Sequence, residues 1–188
     1  IAQAPLAPNI QTAFDIGTGS GVIAAILAKR GIPDIIATDT NPKAIACATA
    51  NLERLGLDKA VSIQSIDLFP KTCADLIVCN PPWLPAKPTS AIETALYDPN
   101  HAMLTAFLNG VRKHLNPNGE AWLIISDLAE HLHLRDKDFL QQCFQTASLN
   151  AVDILKTKPQ HKKAIDESDP LVFARNKETT YLYRLKAI

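Results

Sequence analysis

Two short stretches of this 188-residue chain gather residue types that can do chemistry. Gly17, Gly19 and Gly21 fall within five positions, although the whole chain has only 7 glycines. Asn80-Pro81-Pro82-Trp83 opens a second window, with Pro85 and Pro88 close behind, in a chain of 13 prolines. Average usage would give about 13 Gly and about 9 Pro at this length. Both windows are therefore unusual backbone set into an otherwise ordinary composition.

The first window reads Phe14-Asp15-Ile16-Gly17-Thr18-Gly19-Ser20-Gly21. Glycines after a strand permit a tight turn and bring a ligand onto bare backbone. A helix start directly behind them adds unpaired N–H groups. A dinucleotide fingerprint, G-x-G-x-x-G, seats a pyrophosphate at such a place. Here the spacing is G-x-G-x-G, and Val22 stands where the third glycine belongs. Asp15 would repel a pyrophosphate and attract an ammonium group, which favours an amino-acid-bearing cofactor over NAD. Asp39 can accept both hydroxyls of a ribose, and Asp67 can accept from an adenine amino group. Either is equally suited to capping a helix or turning the chain.

In the second window, two consecutive prolines stiffen the backbone and remove two N–H donors. Their carbonyls stay free to accept. Asn80 adds a side-chain acceptor and Trp83 a flat face for stacking. Acceptors beside a stacking face suit a planar –NH2 group. Such a nitrogen is conjugated and a poor nucleophile, and two accepted hydrogen bonds would orient it for attack.

The elements that must position these windows alternate. Short apolar runs at 13–16, 35–38, 61–66, 75–79, 120–126, 152–156 and 179–185 read as strands. Residues 22–29 read as a helix closed by Gly31 and Pro33. Asn41-Pro42 is a cap with proline at the first helical position, and that helix stops near Gly56. Asp98-Pro99 opens another helix, with Leu104, Phe107, Leu108, Val111 and Leu115 at helical spacing. Residues 116–119 read as a turn. Residues 128–147 read as helical with a break near Asp136. Alternating strands and helices imply an open, mostly parallel sheet covered on both faces. Its ligands are expected beyond the carboxyl ends of the strands.

The totals exclude several classes. The 19 basic residues cancel 19 acidic ones, which disfavours holding nucleic acid by bulk charge. No apolar run approaches the roughly 18 residues that span a bilayer. No signal peptide is visible. Cys47, Cys73, Cys79 and Cys143 form no C-x-x-C pair and read as small core residues in a reducing compartment, so the cytoplasm is the expected location. The chain begins at Ile1 and is expected to be one domain, residues 1–188, lacking an N-terminal segment or domain.

In Asp15-Ile16-Gly17-Thr18-Gly19-Ser20-Gly21, Ala37-Thr38-Asp39-Thr40-Asn41-Pro42, Asp67-Leu68-Phe69 and Asn80-Pro81-Pro82-Trp83, the chain resembles the class I S-adenosylmethionine-dependent methyltransferases. It is most similar to their small-domain family, which holds HemK-like protein-glutamine methyltransferases and several RNA base N-methyltransferases. The resemblance implies a Rossmann-like α/β fold: a doubly wound seven-stranded sheet of order 3-2-1-4-5-7-6 with the last strand antiparallel. It also implies S-adenosylmethionine as cofactor. Asp15, Gly17, Thr18, Gly19 and Gly21 would hold its methionine part. Asp39 would take the ribose, Thr40 would sit beside the adenine, Asp67 would take the adenine amino group and Leu68 would pack nearby. Asn80 and the Pro81 carbonyl would grip the target nitrogen, with Pro82 and Trp83 completing the acceptor loop. Trp83 departs from the family's usual Tyr or Phe. The implied reaction transfers a methyl group to an amino nitrogen of RNA, DNA or protein glutamine, with no metal and no membrane. The alternatives are a non-catalytic cofactor-binding scaffold and an NAD-linked oxidoreductase.

Other features are expected to be plain surface. His131 and His133, near Asp136 and Asp138, lie two positions apart and face different sides of a helix. Lys156, Lys158, His161, Lys162 and Lys163 form a basic stretch that could meet phosphates, or else be balanced by Asp166, Glu167 and Asp169. Tyr97-Asp98-Pro99 starts a helix and borders the loop 84–98, and His101 sits in that helix's first turn, within reach of a substrate role.

Overall fold

In the computed structural model, the described residues are 1–85, 97–159 and 172–188. Seven strands run as β1 (Thr12–Ile16), β2 (Asp34–Asp39), β3 (Val61–Ser65), β4 (Ala74–Cys79), β5 (Leu115–Ser126), β6 (Leu149–Thr157) and β7 (Thr180–Ala187). They form one sheet of order β3-β2-β1-β4-β5-β7-β6. β7 is antiparallel to both neighbours, and the other pairings are parallel. This is the expected topology, strand for strand.

Helices α1 (Val22–Lys29) and α2 (Pro42–Arg54) cover one face, while α3 (Ala102–Val111) and α5 (Phe139–Thr146) cover the other. A short α4 (Leu128–His131) follows β5, and α6 (Val172–Arg175) precedes β7. Leu76 and Ile77 are adjacent on β4 and belong to opposite cores. Both are fully buried, as a central parallel strand requires.

The register brings the two windows together. Ile16 pairs with Cys79, and Ile16 also pairs with Thr38. The chain therefore leaves β1, β4 and β2 at one level, which sets Gly17, Asn80 and Asp39 side by side. Strand order reverses direction between β1 and β4, so this is the switch point where open α/β sheets bind ligands.

Several local readings are corrected. The helix after Asp98-Pro99 starts at Ala102, behind a 3₁₀ turn at Pro99–His101. Leu115 continues the helical spacing but begins β5. Residues 116–119 do not end the strand. Ala74 pairs with Leu115 and Leu76 with Glu120, so they form a bulge within β5. Cys47 and Cys73 are exposed rather than in the core. α2 buries Ala48 and Leu52, and Cys47, one position before Ala48, is turned by about 100° off that stripe. Pro88 and most of the loop after Trp83, together with His161, Lys162 and Lys163, lie outside the described residues. No helix among the described residues is long and apolar enough to cross a membrane.

Candidate functional site

A cavity of about 590 Å³ opens at the switch point. Its wall takes Gly17, Thr18 and Gly19 from the loop after β1, Asp39 and Thr40 from the end of β2, and Asp67 and Leu68 from the end of β3. Asn80 and Pro82 join from the end of β4. Nine of the residues singled out in the sequence thus face one space, contributed by four strand ends.

Positive φ angles shape the glycine loop. Gly17, Gly19 and Gly21 have φ of 68°, 56° and 81°, a region that side chains disfavour. At Gly17 a Cβ would also stand 2.5 Å from Met103 Cε. At Gly19 nothing among the described residues lies within 4 Å of such a Cβ, so the loop presents open space above its backbone there. The Thr18 N–H donates to the Thr38 carbonyl at 2.8 Å and ties the loop to β2. Gly21 caps α1, and Asn41 caps α2 by accepting from the Lys43 N–H at 3.0 Å.

The two carboxylates of the loop differ. Asp39 Oδ2 accepts the Gly19 N–H at 2.9 Å and Oδ1 accepts the Asn41 N–H at 2.8 Å. Each oxygen keeps a further lone pair. Asp15 is fully buried beneath the loop and is not part of the cavity wall. Its Oδ2 accepts from the Thr18 hydroxyl at 2.6 Å and the Ala24 N–H at 3.0 Å. Its Oδ1 has no partner among the described residues. Burial lifts the Asp15 pKa to about 6, against the pull of the Thr18 and Ala24 bonds, and Asp39 adds to the rise. The neighbouring Cys79 thiol is pushed well above its usual range by burial, with Asp15 and Asp98 adding to it.

On the acceptor side, Pro81 is buried and Asn80 is exposed. The Trp83 indole N–H donates to Asn80 Oδ1 at 3.0 Å. Trp83 packs its ring against the α3/α5 core rather than lining the cavity. The loop beyond it is clasped where it returns: the Asp98 N–H donates to the Leu84 carbonyl at 2.7 Å, and Leu84 bridges Tyr97.

Sequence reasoning missed the wall residues Ala44 and Met103, and gave no site role to Val22 and Thr38, which also line the cavity. In the sequence Val22 stands out only as the residue where a third glycine would belong, and the structure leaves its side chain 57% exposed at the start of α1. Met103 carried no signal, because only the packing of α3 brings it over Gly17.

The remaining candidates fall elsewhere. Lys158 Nζ donates to the carbonyls of Lys177 and Glu178 and to the Thr179 hydroxyl, at 2.8, 3.0 and 3.0 Å. Lys156 lies over the Tyr181 ring. These two lysines of the basic stretch thus brace the β6–β7 hairpin. His131 ends α4, 3.5 Å from Asp127, and His133 has turned into the left-handed region. His101 is buried against Phe139.

Known proteins resemble this chain in sequence and shape. It is 34% identical to the release factor glutamine methyltransferase of Cereibacter sphaeroides over 66% of its length and 50% of that protein. It is 35% identical to the tRNA1(Val) (adenine(37)-N6)-methyltransferase of Cytophaga hutchinsonii over 66% of its length and 56% of that protein. The chain thus spans about half the length of these relatives. Its fold matches the ribosomal protein L11 methylase of Lactobacillus delbrueckii subsp. bulgaricus with a TM-score of 0.64, at 18% identity, over 97% of this chain and 72% of that one. A geranyl diphosphate methyltransferase solved in complex with SAM matches with a TM-score of 0.67, at 11% identity, over 98% of this chain and 80% of that one. The family comparison spans residues 5–154, from ahead of the glycine loop through the acceptor window and into β6. On that match the chain belongs to the methyltransferase small domain family.

Proposed function

We propose that this chain transfers a methyl group from S-adenosylmethionine to a conjugated amino nitrogen of a macromolecule. The observation that carries the reading is the shared cavity. Asn80 and Pro82, the acceptor side, line the same space as the glycine loop and Asp39, the cofactor side.

The residues fit the cofactor. The volume lies within the about 300–1,000 Å³ usual for ligand sites. The open space over Gly19 admits a ligand to bare backbone, and the orphaned Asp15 Oδ1 supplies buried negative potential beneath it. In this reading Gly17, Thr18 and Gly19 cradle the amino-acid part, with Gly21 and Asp15 holding the loop from behind. The free lone pairs of Asp39 take the ribose hydroxyls. Thr40 and Leu68 flank the adenine, and Asp67 accepts from its amino group. S-adenosylmethionine, when bound, supplies a methyl group on a sulfonium.

The protein's own work is positional. Asn80 Oδ1 and the Pro81 carbonyl accept from the target –NH2, hold its lone pair in line and stabilise the charge that develops on nitrogen. Asn80 Oδ1 has two lone pairs. Trp83 takes one and fixes which end of the carboxamide is the acceptor, and the other is left for substrate.

Both sequence relatives bear names that point to a conjugated amino nitrogen, one a glutamine and the other an adenine N6. Their near-equal identity leaves protein and nucleic acid as the two substrate classes to test. The proposed setting is the cytoplasm, where four free cysteines are stable. The test is methyl transfer from labelled cofactor to fractionated cell protein, RNA and DNA, beside calorimetry with S-adenosylmethionine and NAD. Label in one fraction and selective binding of S-adenosylmethionine support the reading. Tight binding of NAD alone, or cofactor binding with no labelled fraction, contradicts it.

A further inference from the structure

A second cavity, of about 240 Å³, opens between α5 and the far half of the sheet, where the carboxyl end of β5 meets β7. It shares no wall residue with the first. Four charged side chains line it: Asp127, Glu130, Arg135 and Lys137. Their formal charges cancel, but their hydrogen bonds do not.

The acids are already engaged. Asp127 Oδ1 accepts the Thr179 N–H at 2.6 Å, and Oδ2 accepts the Tyr181 hydroxyl at 3.3 Å. Glu130 Oε1 accepts from Arg135 Nε at 3.4 Å. The donors are engaged only in part. The Arg135 side chain is completely buried. Its Nη2 donates to the Ser126 carbonyl, while its Nη1 has no partner among the described residues. Among the described residues, neither Lys137 nor the Gln141 side chain makes a hydrogen bond or ion pair, although both line the cavity.

A buried guanidinium with an unsatisfied N–H is costly, and its chemical complement is an oxyanion. Spare donors from Arg135, Lys137 and Gln141 around one space make the same demand. We propose that this cavity binds a small oxyanion, the phosphate or carboxylate of a metabolite-sized molecule, on Arg135 with Lys137 and Gln141 as further donors. At 240 Å³ the cavity falls just below the about 300–1,000 Å³ of drug-sized ligand sites, so little is attached to the anion. The site is separate from methyl transfer and does not depend on that reading.

Inorganic phosphate and acetate, each titrated into the protein by calorimetry at fixed ionic strength, test the proposal. Saturable binding of either is expected, phosphate alone marking a phosphate ester and acetate alone a carboxylate. Arg135 is too buried to substitute safely, so the variants are Lys137→Met and Gln141→Leu, both at exposed positions. Lys137→Met should weaken the anion about tenfold or more and Gln141→Leu by less, while S-adenosylmethionine affinity stays unchanged. No saturable binding of either anion overturns the proposal, and so does binding that both variants leave intact.

Discussion

Asp15 carries a cost that the fold keeps in place. Its folded pKa of about 6 lies above the ordinary 3.8, so between those values the folded state holds more protons than the unfolded one. Stability therefore falls as pH rises from about 4 through about 6, by about 3 kcal/mol from this group alone. Asp15→Asn should flatten that slope in urea unfolding curves taken across pH 4.5–6.5. An unchanged slope would place the cost elsewhere. Trp83 makes a second prediction at this scale. Trp83→Phe keeps an aromatic ring against the α3/α5 core but loses the N–H that holds Asn80 Oδ1. The turnover rate should fall about tenfold with cofactor affinity unaltered, and an undiminished rate would remove Trp83 from the positioning role. Both residues were legible in the sequence as types at a spacing. What was not legible was depth: Asp15 lies under the loop rather than on the cavity wall, and Trp83 reaches Asn80 through its nitrogen. Those facts come from packing, which no local pattern encodes.

At the scale of elements, the least legible boundary was the start of α3. Asp98-Pro99 looks like an ordinary cap, yet Asn100 and His101 both take φ of 56° before the helix begins. Asp98 spans that kink. Its Oδ1 accepts the Met103 N–H at 2.8 Å and its Oδ2 accepts the Leu104 N–H at 3.0 Å. The cap is real but acts one turn later than its position suggests, and it seats Met103 against Gly17. Asp98→Ala should cost about 1–2 kcal/mol in chemical denaturation. Asp98→Asn, which retains one acceptor, should cost less, and equal losses would mean that the carboxylate does not cap α3. The bulge in β5 escaped for a related reason, since Asn116-Pro117-Asn118-Gly119 has every mark of a turn. Asp75 overrides it by accepting from the Asn116 side chain at 2.8 Å, beside the N–H groups of Gln11 and Thr12. By contrast, α1 was legible end to end, because glycine, apolar run and glycine mark both of its limits.

For the whole molecule, strand order and the meeting of distant motifs were the most legible features, because alternation and handedness leave few topologies open. β4 is central to that arrangement and buried on both faces. Leu76→Ala and Ile77→Ala act on opposite cores, and each should cost about 2–5 kcal/mol. Val152→Ala, on the edge strand β6 and 47% exposed, should cost under about 1 kcal/mol. A cheap Leu76→Ala in urea unfolding would contradict the two-faced core. The same sheet carries the functional account, because it sets Asn80 beside the glycine loop. The most direct test compares wild type and Asn80→Ala in transfer of labelled methyl from S-adenosylmethionine to fractionated cell protein and RNA, with cofactor affinity measured alongside. Label in one fraction is expected for the wild type, with a loss of about 100-fold or more in Asn80→Ala and cofactor affinity nearly unchanged. Transfer by Asn80→Ala at the wild-type rate would contradict the acceptor role of Asn80.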